Sequence, residues 1–417
     1  MRKRIGWIAL MFTALWMNGC REKLQPSGDK TDTDVTIVCH LPDGMSLSDE
    51  YTLTIEATDL NMARHYHWEL TGVLDWDSVL VHTVTIPTGY YDWSSSGVFG
   101  TAGRLQRIRG YAKGQSTVGT GNVDIRTYLT SNNTDLIIAE VFFAGTLTPE
   151  GKQYTGDKYV VLYNNTEDTL FADGIVLVES KMKNTTQITL KPVDFRNEYF
   201  AADALYRIPG TGKEHPVAPG GTILLVDNGI DHRSYNPNSF DLSYADFEWY
   251  DVSTNPNYTD VNNPDVEDLE KIYCYTLTIW APNNQGNTSL ALCRLPDSIS
   301  AEDYVARYKF IYDYIIVTKA GTFDMSATAC KLMNNWVVDA VNLCPSTTYQ
   351  WLVVDDSLDG GYTYVATAGN DKSRYGKCVR RRTMTTHPSG RRILQDTNNS
   401  TEDFLPMQEA DPTYFMR

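Results

Sequence analysis

Residues 157–174 read DKYVVLYNNTEDTLFADG, and this pattern limits the fold more tightly than any other. The run Tyr159-Val160-Val161-Leu162-Tyr163 is too short for a stable helix and is rich in β-branched and aromatic residues. It therefore reads as a strand. Asn164-Asn165-Thr166-Glu167-Asp168 interrupts it, and a second apolar segment ends at Asp173-Gly174. Polar side chains in such a row can be metal ligands or a turn. The turn accounts for them, because Asn and Asp tolerate left-handed backbone and hydrogen-bond their own main chain.

The same punctuation recurs along the chain. Tyr, Thr and Val are frequent, turns rich in Gly, Asn and Asp repeat, and few segments show a helical period. Strands are expected at 35–39, 51–57, 79–86, 105–112 and 123–129. After the polar loop Ser131-Asn132-Asn133-Thr134-Asp135 they are expected at 136–145, 158–163, 174–179, 187–191, 222–226, 275–280, 289–293, 336–341 and 350–354. Helix is minor: Ser300-Ala301-Glu302-Asp303 can cap a short helix reaching Tyr308, and 325–332 reads as a second. The fold class is all-β, and the length exceeds what one core can serve.

The first residues address the chain to the cell envelope. Arg2, Lys3 and Arg4 precede an apolar run from Ile5 to Trp16, the form of a secretory signal rather than a spanning helix. Gly19 stands directly before Cys20, as lipoprotein cleavage requires, so Cys20 is the candidate lipidation site and several acyl chains would anchor it. The expected organisation is a signal peptide at 1–19, a tether at 20–34 and β modules at 35–132 and 135–417. Loss of the signal takes the formal charge from −16 to −19, which opposes contact with nucleic acid. Arg380-Arg381-Arg382 and Arg391-Arg392 read as a solvated strand edge or as partners for local carboxylates.

Six cysteines follow Cys20: Cys39, Cys274, Cys293, Cys330, Cys344 and Cys378. None forms a Cys-x-x-Cys pair, and fifteen pairings are open, so no disulfide is assigned.

Two resemblances refine the architecture. In Val84-Thr85-Ile86-Pro87-Thr88-Gly89-Tyr90-Tyr91 a strand ends at a proline turn and a Gly-Tyr pair restarts the next. This resembles the Pro-x-Gly-x-Tyr turn of carboxypeptidase-regulatory, transthyretin-like immunoglobulin modules, and implies an immunoglobulin-like spacer at 35–132. Further on, LIIAEVFFAG, DKYVVLYNNTEDTLFADGIVL, PGGTILLVDN and VVDAVNL follow the order of a lamin-tail domain. Glu140, Tyr163, Asn164, Asp173-Gly174, Pro219-Gly220 and Asp339 occupy its characteristic positions. The strings GIDHRSYNPNSFDLSYADFEWYD, YCYTLTIWAPNNQGNTSLAL and QDTNNSTEDF are similar to an uncharacterised Bacteroidetes lipoprotein family. In that family a lamin-tail-like sandwich is enlarged by long loops. The resemblance implies two β-sandwich domains and an outer-membrane location, on the periplasmic face or the cell surface, but no chemistry.

Candidate chemistry concentrates in loop 227–268. Asp227, Asp231, His232, Asp241, Asp246, Glu248, Asp251, Asp260, Asp265, Glu267 and Asp268 lie there with Trp249 and Tyr250. Such oxygen density suits calcium, yet no EF-hand spacing occurs, and the plainer reading is a long solvated insertion over the sandwich rim. Asp227, Asp231, His232, Trp249 and Tyr250 are the candidate binding residues. His65 and His67 share one strand face without an evident third metal ligand. No nucleophile elbow, phosphate loop or His-Glu-x-x-His occurs, so no catalytic residue, metal or cofactor is assigned. The 26 tyrosines suit ligand-binding faces as well as core packing. The expectation is a non-enzymatic accessory protein for uptake or adhesion, with a glycan, a small ligand or an outer-membrane receptor as partner. The alternative is a metal-assisted or carboxylate-dependent hydrolase of glycans or phosphoesters acting through loop 227–268.

Overall fold

The structure, a computed structural model, describes residues 31–41, 50–60, 64–73, 79–100, 106–117, 122–130, 134–257, 259–296 and 299–417. The expected signal and tether, with Cys20, lie outside the described residues. The fold is all-β, with one two-turn helix and a few single turns among the described residues.

Seven strands form the first sheet: β1 (Asp32–His40), β2 (Glu50–Asp59), β3 (His65–Val73), β4 (Val79–Pro87), β5 (Tyr90–Phe99), β6 (Gln106–Ser116) and β7 (Asn122–Thr130). They lie in the order β3-β2-β5-β6-β7-β1-β4, antiparallel except where β1 meets β7. Side-chain alternation sends Ile37, Ile55, Ile86, Trp93 and Ile125 to one shared core. Tyr91 is fully buried, and its hydroxyl donates to Pro87 O at 2.8 Å, closing the Pro-Thr-Gly turn.

Two further sheets face each other. One runs Glu267–Asp268, Phe247–Glu248, Thr222–Val226, Tyr159–Tyr163, Ile137–Phe142, Lys377–Arg381, Phe404–Glu409. The other runs Ile188–Lys191, Lys309–Thr318, Gly321–Met333, Tyr199–Arg207, Ile175–Ser180, Ser289–Arg294, Val337–Asn342, with Glu270–Cys274 also paired to Tyr199–Arg207. Ile138, Leu162 and Leu225 from the first meet Leu177, Tyr206 and Leu292 from the second in one core. The outer faces are covered as well. Val161 and Leu224 lie under Leu242 and Phe415, while Val178 and Ala202 lie under Trp351 and Tyr304 of the helix Ala301–Tyr308. Burial on both faces explains why Ile137–Phe142, Tyr159–Tyr163 and Ile175–Ser180 are continuous apolar runs rather than alternating ones.

Asn164 turns the chain from the first of these sheets toward the second. It is fully buried; its amide donates to Asp168 O and Val217 O, both at 2.7 Å, and its carbonyl accepts Thr166 N–H at 2.9 Å. Glu167 is paired with Arg391. The helix cap is also as expected, with Ser300 Oγ accepting Asp303 N–H. The basic clusters are not a solvated edge. Arg380 pairs with buried Glu140 at 2.5 Å, and buried Arg381 pairs with Asp339 at 2.7 Å and Asp396 at 3.1 Å.

Three local expectations are corrected. Residues 325–332 are not helical but belong to the strand Gly321–Met333, which pairs along its length with Lys309–Thr318. Residues 275–280 and 350–354 are irregular; Trp280 and Trp351 made them look like strands because they are buried, not because they are laddered. All six cysteines are free, and burial pushes the Cys39, Cys330 and Cys344 thiols up to about 12.

Candidate functional site

The acidic loop is woven into the sandwich rather than laid over it. Phe247–Glu248 adds beside Thr222–Val226, and Phe247 and Trp249 enter the central core. The carboxylates satisfy backbone donors that a non-laddered loop leaves open. Asp246 accepts Leu224 N–H at 2.7 Å, Glu248 accepts Gly229 N–H at 2.6 Å and Asn263 N–H at 2.8 Å, and Asp260 accepts Asp251 N–H at 2.9 Å. Fully buried Asp251 receives the Tyr206 hydroxyl, the Trp280 N–H and the Lys271 ammonium, all within 2.7 Å.

The five candidate binding residues fall in different settings. Asp231 is at the surface, in a two-pronged pair with Arg233 at 2.7 Å. His232 is buried: its Nε2 faces Asn228 O at 2.9 Å and so carries the proton, leaving Nδ1 to accept from the Tyr154 hydroxyl at 2.7 Å. Burial holds it below the usual imidazole pKa. Trp249 is wholly enclosed against Trp280, with ring centroids 5.1 Å apart, and Tyr250 is half-buried. Asp227 is nearly buried, and loss of solvent pushes its carboxyl up to about 8 against the opposing field of Lys158. The Trp249 N–H favours the ionised Asp227 without making a well-aligned hydrogen bond. Lys158 is buried too, and its ammonium donates to Pro282 O at 2.8 Å.

That last bond leads to a cleft that sequence reasoning missed. Pro282 lies on the segment leading from Trp280 to Thr288, which walls a cavity of about 350 Å³ together with the ends of two strands. The strands Ile175–Ser180 and Tyr199–Arg207 pair antiparallel, with Glu179 opposite Ala204 but Ser180 opposite Ala202. Asp203 is the extra residue of this bulge, and a bulge re-aims the side chain it carries. Asp203 and Glu179 therefore both reach the cavity, joined by Lys181, Lys183, Tyr275 and Asn283.

These residues have distinct tasks. Glu179 is buried and accepts Trp280 Nε1–H at 2.8 Å, Asn283 N–H at 2.9 Å and the Thr288 hydroxyl at 2.8 Å, which fixes the wall. Asp203 straddles the Lys181 ammonium: its buried Oδ1 lies 3.1 Å away without an aligned hydrogen bond, and its Oδ2 accepts from the ammonium at 3.3 Å. Burial pushes Asp203 up to about 6; Lys181 opposes that rise and the Glu179 charge adds to it. Tyr275 is 53% exposed, and Lys181 lies 5.4 Å from its ring centroid. Lys183 is exposed and makes no ion pair among the described residues. The arrangement offers an acceptor, donors and an aromatic face around one opening. The one legible trace in the sequence was Glu179-x-Lys181-x-Lys183, whose spacing of two aligns side chains on an extended chain.

Among the described residues, Asp173, Glu214 and His215 could hold a metal ion, with one ligand atom each inside 4.8 Å. Asp173 already accepts the N–H groups of Gly212, Glu214 and His215 at 2.9–3.1 Å, so it serves the loop as a backbone cap. His65 and His67 are exposed on β3 and do not join a third ligand among the described residues.

Comparison with known proteins places this geometry in a family context. Residues 218–411 are similar to a family model described as "Protein of unknown function (DUF4876)". Among solved structures it is similar to the crystal structure of a DUF4876 family protein from Bacteroides thetaiotaomicron VPI-5482. The TM-score is 0.61 at 22% identity, covering 91% of this chain and 96% of that one. At that identity the likeness speaks for the fold. A proposed cell adhesion protein from Parabacteroides distasonis ATCC 8503 overlaps 73% of this chain and 89% of its own at 6% identity. Its TM-score of 0.21 is too low to bear on the fold. No curated protein matches the sequence.

Proposed function

We propose that this is a lipid-anchored cell-envelope binding protein that assists uptake or adhesion at the outer membrane. In this reading an immunoglobulin-like, carboxypeptidase-regulatory-type spacer lifts an enlarged lamin-tail-like sandwich away from the lipid at Cys20. The observation that carries it is the cleft of about 350 Å³ beside Asp203 and Tyr275. Its size falls in the range of small-ligand sites, and its wall is fixed before any ligand arrives by the three bonds to Glu179. The carboxylates of loop 227–268 traced above weigh against hydrolysis at that loop, because they already receive backbone or side-chain donors.

The test is thermal unfolding of the mature protein against a panel of small ligands, with Lys183→Ala and Asp203→Ala in parallel. A ligand class that raises the melting temperature of the parent and not of the variants supports the reading. A shift retained in both variants, or no shift with any class, counts against it.

A further inference from the structure

We infer that the cleft takes an uncharged saccharide ring, held by stacking on Tyr275 and by hydroxyl contacts to Asp203, Lys183 and Asn283. This rests on the reading of the cleft as the binding site.

The groups that line the cavity divide into those already bonded within the protein and those left for a ligand. Glu179 lines the cavity but already accepts three hydrogen bonds, so it is wall rather than contact. Ser180 is likewise occupied, donating to Met182 O and accepting Ser289 N–H. What remains is the second lone pair of Asp203 Oδ2, which takes only the long 3.3 Å bond from Lys181, as acceptor, with the Lys183 ammonium and the Asn283 amide as donors. The Asn283 carbonyl accepts Gln285 N–H at 3.0 Å, which leaves its NH₂ for a ligand. A hydroxyl group both donates and accepts, so a ring bearing several of them can satisfy Asp203 on one side and the two donors on the other. Tyr275 supplies an apolar surface for the C–H face of such a ring, since over half of it is exposed.

Other ligand classes fit less well. A phosphate or other dense anion would face the carboxylates of Asp203 and Glu179 at close range. A polycation would face Lys181, Lys183 and, behind the wall, Lys158. An apolar ligand would desolvate Asp203 and Lys183 without offering either a partner, which costs more than the contact returns. The volume, near the lower end for ligand pockets, suits one or two rings.

The test is binding of the mature protein to neutral mono- and disaccharides by titration calorimetry. Asp203→Asn, Tyr275→Ala and, as an exposed aromatic outside the cavity lining, Tyr349→Ala are compared with the parent. Asp203→Asn preserves shape, which guards against simple misfolding. The expected result is saccharide binding weakened tenfold or more by each cleft change and unaltered in Tyr349→Ala. Saccharide binding that survives both cleft changes overturns the inference. If peptides or anions bind in an Asp203-dependent way and saccharides do not, the sugar class falls and the cleft stands. If no class binds, both fall.

Discussion

Asp203→Asn should stabilise the protein at neutral pH although it removes half of an ion pair. Burial raises the Asp203 carboxyl from 3.8 to about 6, in spite of Lys181 at 3.1 Å. Between those values the folded protein holds a proton that the unfolded chain has released. The stability tied to this group is therefore complete below pH 3.8 and is lost as pH rises through about 6. A shift of this size corresponds to about 3 kcal/mol once ionisation is complete. Roughly 1 kcal/mol of that accrues by about pH 4.5 and roughly 2 kcal/mol more by about pH 7.5. Asparagine cannot ionise, and Lys181 is partly exposed, so water can solvate it when its partner is gone. Urea unfolding of the parent and Asp203→Asn at the two pH values reads the effect directly. The variant should gain up to about 2 kcal/mol relative to the parent between them. A difference that stays flat with pH, or moves the other way, would refute the claim that Asp203 is held at a cost.

Three more outcomes follow from the packing. Arg381→Ala leaves Asp339, Asp396 and Asp403 buried without their shared cation and should lose about 3–5 kcal/mol in urea unfolding; a loss under about 1 kcal/mol would contradict the pairing. Tyr91→Phe removes the bond to Pro87 O and should destabilise the β1–β7 sheet by about 1 kcal/mol in chemical denaturation, with no change in ligand binding at the cleft. Cys20→Ala should move the protein from the membrane to the soluble fraction on cell fractionation, and persistence in the membrane fraction would defeat the lipid anchor.

Doubly buried strands were easy to read, since Ile137–Phe142 and Tyr159–Tyr163 have no polar face to blur the pattern. Local caps and turns were equally legible: Asn164 and Ser300 act through residues two to four positions away. Strand Gly321–Met333 was not, because Met325-Ser326-Ala327-Thr328-Ala329 has no strong β preference of its own. It is extended because Lys309–Thr318 pairs beside it. Loop 227–268 looked solvated because its acids dominate the composition, while Phe247 and Trp249, the residues that dock it, are few. The cleft was invisible for another reason. Asp203 meets Glu179 through a one-residue register shift, and Tyr275 and Asn283 arrive from a separate segment. No spacing within a single stretch encodes that meeting.

Hydrogen–deuterium exchange of the mature protein, with and without a ligand found by the thermal panel, reads out whether that ligand sits in the cleft. Slower exchange is expected, confined to 179–183, 202–204 and 275–288. Protection centred on 227–268 or on the β1–β7 sheet, with the cleft segments unchanged, would contradict it.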